Sequence, residues 1–464
     1  MPFDPNAPYP SLAGLIDTFR DGSAKPSEVI RAHLDRIEKH EPTIGAFQVV
    51  YAEDAMQAGE AADRLFASGH QAGPFQGIPF GLKDICDVAG RVTTGGSKAM
   101  ADRVSDRTGT VAQRLMSAGG VLLGKTKTVE CALGGWGTNQ HMGTPSNPWD
   151  RTTHRIPGGS SAGTGAGVGA GFAVCGVGTD TGGSVRLPAA FNGIVGLKVT
   201  AGRLPTDGII PLSHTLDTPG PLAHSVEDTI LMFLAMDGAE GHVIEADRAA
   251  GSGLFASLRG GIAGMRFGIL DERERAECTA QVLENYDAAL DRLRALGATL
   301  DVFESTEGYA DLTAASGVLI AAEGYHYHGH LYEQNELPMD EDVRTRMLAG
   351  RGVTAPQYLK ILEDRQLAKR AYLDRMRGFD ALLTPTMTTT APKIEDVDQA
   401  ISPAHFTRHV NFFELCALAL PTGLASDGLP TSLQIIARGN EEALALRIGA
   451  ALEAAQPAIG NPVL

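Results

Sequence analysis

Eleven glycines fall within the 26 residues from Gly158 to Gly183, and no other feature narrows the fold as much. The stretch opens Pro157-Gly158-Gly159-Ser160-Ser161-Ala162-Gly163 and closes Gly178-Thr179-Asp180-Thr181-Gly182-Gly183-Ser184-Val185-Arg186. Glycine at this density lets the backbone adopt positive φ and lets several main-chain N–H groups converge on one point. That point is a phosphate or an oxyanion. Alternatively, Gly165 to Gly171 serve close helix packing, which leaves the serine-bearing ends unexplained. The whole chain holds 56 glycines in 464 residues, about 12% against a usual share of about 7%. With 25 prolines, 43% hydrophobic and 20% charged residues, it is neither low-complexity nor collagen-like. It has ample material for a core.

The phosphate readings fail their own tests. No GxGxxG register fits, because the third position falls on Val168, Ala170 or Thr181, and there is no GxxxxGK[ST]. Gly159 to Gly163 matches GxSxG with Ser161 as nucleophile. An α/β-hydrolase elbow needs a strand directly before that serine. Thr152 to Pro157 does not read as one, and no HGGG-type motif is present.

Lys and Arg total 39 against 55 Asp and Glu, a formal charge of −16. Such a chain gains nothing from phosphate counterion release, so no nucleic-acid partner is expected. Cys86, Cys131, Cys175, Cys278 and Cys416 are odd in number, far apart and free of CxxC spacing. That pattern argues for a reducing, cytoplasmic location, with Cys86 and Cys175 as small buried residues. Met1 to Pro10 has no apolar stretch of signal-peptide type. Ile156 to Thr179 is uncharged over 24 residues but too glycine-rich to read as a membrane span, so no membrane association is expected.

Helices are predicted over Ser27–His40, Ala52–Ala67, Thr110–Ala118, Cys278–Leu296, Ala355–Arg377 and Glu441–Ala455. Buried strands are predicted over Ile78–Asp84 and Val121–Lys125, and further strands over Arg266–Leu270, Thr299–Phe303 and Ala381–Thr384. Ala417–Leu420 and Ser432–Ala437 flank a hairpin turn at Ser426-Asp427-Gly428. The alternation indicates α/β layering. No internal repeat or clear linker is visible, and Asp237–Gly261 reads as a surface excursion.

The glycine-rich segment, followed by Gly193-Ile194-Val195-Gly196-Leu197-Lys198, resembles the signature of the amidase signature family. Gly77-Ile78-Pro79-Phe80-Gly81-Leu82-Lys83-Asp84 is similar to the family's lysine motif. Gly124-Lys125-Thr126, Gly143 to Asp150, Leu382 to Thr386 and Gly428 to Gln434 also fit, in order, over nearly the whole chain. The resemblance implies one domain across residues 1–464, an α/β fold with a mixed β-sheet flanked by helices on both faces. Residues 60–200 would carry the lysine and both serines, and about 237–380 a more variable, mainly helical part. It further implies a catalytic triad of Lys83, Ser160 and Ser184, a cis peptide before Ser160, no cofactor and no metal.

The chemistry is consistent with those residue types. A serine hydroxyl needs a base, and the signature holds no histidine. A buried lysine can serve when desolvation keeps it neutral, although Asp84 and Asp87 must then find other partners. Ser160 would relay the proton from Ser184 to Lys83 and return it to the leaving nitrogen. The N–H groups of Thr181, Gly182, Gly183 and Ser184 would form the oxyanion hole. Gly159 gives the cis bond room, and Asp180 and Arg186 would brace the loop by an ion pair.

Gly134, Gly135 and Trp136 correspond to a family loop that lines the acyl site, so Trp136 faces substrate or packs as a structural aromatic. Ala162 and Thr164 replace residues that are commonly glycine and serine in the family. Asn411 to Pro421 is bulkier than usual, which leaves the pocket shape open. His326, His328 and His330 include an i, i+4 pair of metal-ligand type, but no HExxH accompanies it. The leading expectation is a hydrolase that uses water on a small amide. Alternatives are carbamate, aryl-amide or ester cleavage by the same triad, an amidotransferase A-type subunit of a heteromer, and a non-hydrolytic glycine-loop binding protein. A homodimer is allowed.

Overall fold

Short apolar runs bounded by turn residues pair into one large sheet. The computed structural model describes residues 9–70, 73–305 and 307–464, so the segment before Tyr9 lies outside the described residues. The strands are β1 (Phe47–Val50), β2 (Pro79–Lys83), β3 (Val121–Thr126), β4 (Cys175–Asp180), β5 (Val195–Lys198) and β6 (Thr218–Ala223). They continue with β7 (Arg266–Ile269), β8 (Thr299–Val302), β9 (Ala381–Pro385), β10 (Cys416–Leu424) and β11 (Pro430–Ala437). Their spatial order is β1-β3-β2-β4-β6-β5-β10-β11-β9-β7-β8. β2 runs parallel to β3 and β4, and β7 runs parallel to β8 and β9, while the pairs between β4 and β9 are antiparallel. The mixed sheet with flanking helices is the fold that the resemblance implied.

Most of the helices and strands predicted from periodicity are present within a few residues, including Ala52–Ala67 and the hairpin between β10 and β11. Asp237–Gly261 runs mostly at the surface but is regular in structure. It forms the helix Gly241–Ala250 and a 3₁₀ turn at Gly253–Arg259, which bury Ile244 and Phe255. No helix among the described residues is long and apolar enough to cross a membrane.

Two features of this architecture place the site. β2 and β4 are neighbours that run in the same direction, so Lys83 and Thr179 emerge together at their carboxyl ends. Ligands of α/β sheets generally sit in the crevice at that edge. The helix Ala162–Gly169 lies directly on these strands. A Cβ at Gly176 of β4 would come within 2.6 Å of Thr164 Cγ2, so glycine is what allows the close approach. Ser160 and Ser161, just ahead of that helix, are thereby pressed against the ends of β2 and β4.

Candidate active site

Lys83 is the last residue of β2 and is fully buried. Its Nζ lies 2.8 Å from Ser160 Oγ and 2.8 Å from Thr179 Oγ1. Burial pushes its pKa down to about 7, against the opposing pull of Cys86, Asp217 and Asp180. No carboxylate touches it among the described residues. Asp84 instead pairs with buried Lys125 at 2.8 Å and accepts from Thr94 Oγ1 at 2.5 Å. Asp87 takes Arg103 at 2.8 Å. Desolvation without a counter-ion keeps a lysine neutral near neutral pH.

Ser160 follows a cis peptide bond from Gly159. Its carbonyl accepts from Val129 N at 3.1 Å and Thr128 Oγ1 at 3.0 Å. Gly159 donates its N–H to Gly135 O at 2.7 Å, which ties the serine to the loop Gly134–Trp136. Ser161 is fully buried, accepts from Thr179 N at 3.2 Å and donates to Thr179 O at 3.3 Å. No strand precedes it. The GxSxG match is therefore not a nucleophile elbow.

The turn after β4 carries Thr181 to Ser184. Asp180 is fully buried and forms a bidentate ion pair with Arg186, at 2.8 Å to Nη2 and 3.0 Å to Nε. The guanidinium and the Asn411 amide, 2.9 Å away, hold this carboxyl well below the usual range despite its burial. Arg186 also reaches Gln434 Oε1 at 2.6 Å and Thr407 O at 2.9 Å. The expected brace is in place.

One member of the expected donor set differs. The N–H of Gly183 donates to Asp180 Oδ1 at 2.7 Å, because the carboxylate reaches back over the turn and also takes Val185 N at 3.1 Å. Gly183 is thus part of the bracing, at φ +134°, where glycine is required. The N–H groups of Thr181, Gly182 and Ser184 have no acceptor among the described residues. Ser184 is 8% exposed, while Lys83 and Ser160 are fully buried.

Ser184, Thr181 and Gly182 open onto a cavity of about 580 Å³, with Gly134, Gly135 and Trp136 on its wall. Trp136 is nearly buried at the cavity. It lines the cavity and its Nε1 donates to Ile401 O at 2.8 Å. The sequence pattern does not show the further lining that Arg346, Arg408 and the segment Gln399–Ala404 supply, part of it packed against the Gly134–Trp136 loop. Nor does it show Asp217, which accepts from Thr181 Oγ1, or Thr407, which holds Gly182 O at 2.7 Å. None of these sits in a motif that spacing could reveal. The histidine cluster lies on the helix Tyr309–Tyr332, where His328 bonds Pro211 O at 2.6 Å. No three His, Cys, Asp or Glu side chains converge as a metal site among the described residues.

The fold and the relatives of the chain are those of hydrolases acting on the carbon–nitrogen bond of amides. The chain belongs to the Amidase family, whose model matches residues 28–446. It is 33% identical over 458 residues to a 2-amino-5-chloromuconic acid deaminase of Comamonas testosteroni, covering 97% of this chain and 96% of that one. It is 35% identical over 475 residues to the A-type subunit of the glutamyl-tRNA(Gln) amidotransferase of Geobacter metallireducens, covering 95% and 96%. Among solved structures it is similar to the native peptide amidase of Stenotrophomonas maltophilia, with a TM-score of 0.81, 26% identity and coverage of 97% and 98%.

Proposed function

We propose that this protein hydrolyses a small amide through a seryl acyl-enzyme, with Ser184 as nucleophile, Ser160 as relay and Lys83 as base. The observation that carries the reading is the 2.8 Å contact between two fully buried groups, Lys83 Nζ and Ser160 Oγ, with the lysine held near neutrality by burial. Neutral Lys83 takes the Ser160 proton as Ser160 takes that of Ser184, and Ser184 Oγ adds to the amide carbonyl. The oxyanion accepts from Thr181, Gly182 and Ser184 N–H groups, each worth about 10²–10³ in rate. The proton returns along the same path to the nitrogen, the C–N bond breaks, and water then cleaves the ester.

No cofactor or metal is needed for these steps. The five free cysteines support a reducing, cytoplasmic setting. The test is a panel of matched amides, esters and carbamates, with mass spectrometry of the trapped acyl-enzyme. Acylation of any residue other than Ser184 overturns the assignment, and the panel ranks amide against carbamate cleavage.

The likeness to an amidotransferase A-type chain supports a second reading, an ammonia-producing member of a heteromer. Light scattering on the purified chain separates the two. An active free chain, as monomer or homodimer, excludes the obligate heteromer.

A further inference from the structure

We infer that the substrate carries a free carboxylate a few bonds from the scissile amide, and that Arg346 and Arg408 bind it. This deepens the amide-hydrolase reading above and rests on it. Arg346 comes from the helix Glu341–Leu348 and Arg408 opens the helix Arg408–Phe412. Both line the cavity onto which Ser184 opens.

Neither arginine has an ion-pair partner among the described residues, whereas their neighbours do. Arg344 pairs with Glu341 and Arg365 with Glu414. Arg346 gives one N–H to Gln399 Oε1 at 3.2 Å and leaves its buried Nε without an acceptor. Arg408 gives one N–H to Thr313 O at 3.0 Å. A guanidinium has five N–H donors, so most of both forks is unanswered by the protein.

Asp340 and Asp342 favour the cationic form of Arg346 from a distance, but burial outweighs them and neither forms an ion pair with it. Asp342 lines the same cavity but accepts from Gln140 Nε2 at 3.0 Å and is outside ion-pair distance of either arginine. Asp340 spends its oxygens on Gln140 N at 2.9 Å and Asp342 N at 3.0 Å. Burial and the like charge of Arg346 together push Arg408 down to about 10. Two desolvated cations without a counter-ion are costly, and a planar carboxylate is the anion that matches two N–H forks.

Their placement bounds the substrate. A Cβ at Gly182 would lie 3.1 Å from Arg408 Cγ, so that side chain runs along the turn that bears Ser184. A Cβ at Gly134 would lie 3.4 Å from Arg346 Nη2, on the cavity-lining loop that is bonded to Gly159. Anchor and reaction centre are therefore neighbours inside about 580 Å³, which suits short ω-amido carboxylates.

The experiment compares kcat/KM of the full-length protein on succinamate and glutaramate with butyramide and valeramide, their neutral counterparts. A charge-assisted pair is expected to favour the acids about 10–100-fold. Arg346→Met and Arg408→Met, checked for folding by thermal melts, are expected to raise KM for the acids tenfold or more and drive the acid-to-neutral ratio toward one. Calorimetry of succinamate with Ser184→Ala reads the same preference without turnover, and binding no tighter than that of butyramide overturns the inference. A wild-type ratio near one, or a ratio that survives both arginine substitutions, also overturns it. Ser184→Ala separates the two levels. If that variant is inactive while the ratio is one, only the carboxylate anchor fails. If it still turns over amide, the acyl-enzyme reading fails.

Discussion

Asp84, the residue that follows Lys83 in the chain, gives its carboxylate to Lys125 at 2.8 Å and both groups are fully buried. This pairing decides what Lys83 can do. An aspartate adjacent in sequence would otherwise stabilise the ammonium form and remove the base. Lys125 and Thr94 saturate Asp84, so Lys83 faces hydroxyls at 2.8 Å on Ser160 and Thr179 instead of a counter-ion. The second lysine of the signature is thus a partner that takes a carboxylate away from the first.

If Lys83 and Ser184 act as base and nucleophile, Lys83→Ala and Ser184→Ala are each expected to lower kcat by several orders of magnitude. Groups that act as a unit fail together, so the double variant should be little worse than either single one. Single-turnover assays with an activated amide check this. Additive losses would show that the two residues work independently.

The pH dependence follows from burial of Lys83, which brings its pKa from the ordinary 10.5 to about 7. Only the neutral amine accepts a proton, so kcat/KM should fall about tenfold per pH unit below pH 7 and level off above it. Stability carries the linked sign. The unfolded lysine binds more protons than the folded one between about pH 7 and 10.5, so stability rises with pH across that window. Lys83→Met should remove this slope in denaturant titrations at pH 6, 8 and 9.5. An unchanged slope would place the titration on another group.

The residues alone reveal this site unevenly, for physical reasons. Lys83, Ser160 and Ser184 are visible because a glycine-dense turn and a lysine at a strand end are local patterns. The strands β4 and β6 are not: β4 holds Gly176 and Gly178, and β6 holds Pro219, Gly220 and Pro221, residues with low strand propensity. Packing on both faces overrides that propensity. Arg346 and Arg408 escape a sequence reading because each meets the cavity only through tertiary folding. Gly183 reads as an oxyanion donor because nothing local shows that the Asp180 carboxylate reaches back to its N–H.

Ser160 and Ser161 are adjacent but should respond differently. Ser160→Ala breaks the contact with Lys83 and is expected to cost several orders of magnitude in kcat with a small change in Tm. Ser161→Ala removes two hydrogen bonds to the Thr179 backbone, worth about 1–3 kcal/mol together, and should leave kcat within about tenfold. Paired kinetics and melts on the two variants check this. A reversed pattern would revive Ser161 as the nucleophile.

The Asp180–Arg186 pair is buried on both sides, so removing one partner strands a charge. Arg186→Met is expected to lose about 3–5 kcal/mol in urea unfolding. It also frees Asp180 from the geometry that pins Gly183 N and Val185 N, so kcat should fall through a loosened turn. Asp180→Asn tests the same brace from the other side, because one oxygen becomes a donor facing an arginine. Stability within about 1 kcal/mol of wild type in both would show that the turn holds itself.

Asp217 links the turn to the base. It accepts from Thr181 Oγ1 and from the N–H groups of Leu212 and Ser213, at 2.8 and 3.0 Å. Its charge raises Lys83, while burial raises Asp217 itself. In Asp217→Asn that negative charge is gone, so Lys83 is expected to lose its proton more readily and the limb of kcat/KM should move below pH 7. The plateau should change less, because the amide oxygen can take the place of Oδ2 and accept both N–H groups while its NH2 donates to Thr181 Oγ1. The position of the limb is independent of plateau height, so the pH profile separates the electrostatic effect from disorder of the turn. A limb that stays put or moves upward would show that Asp217 does not govern the proton affinity of Lys83.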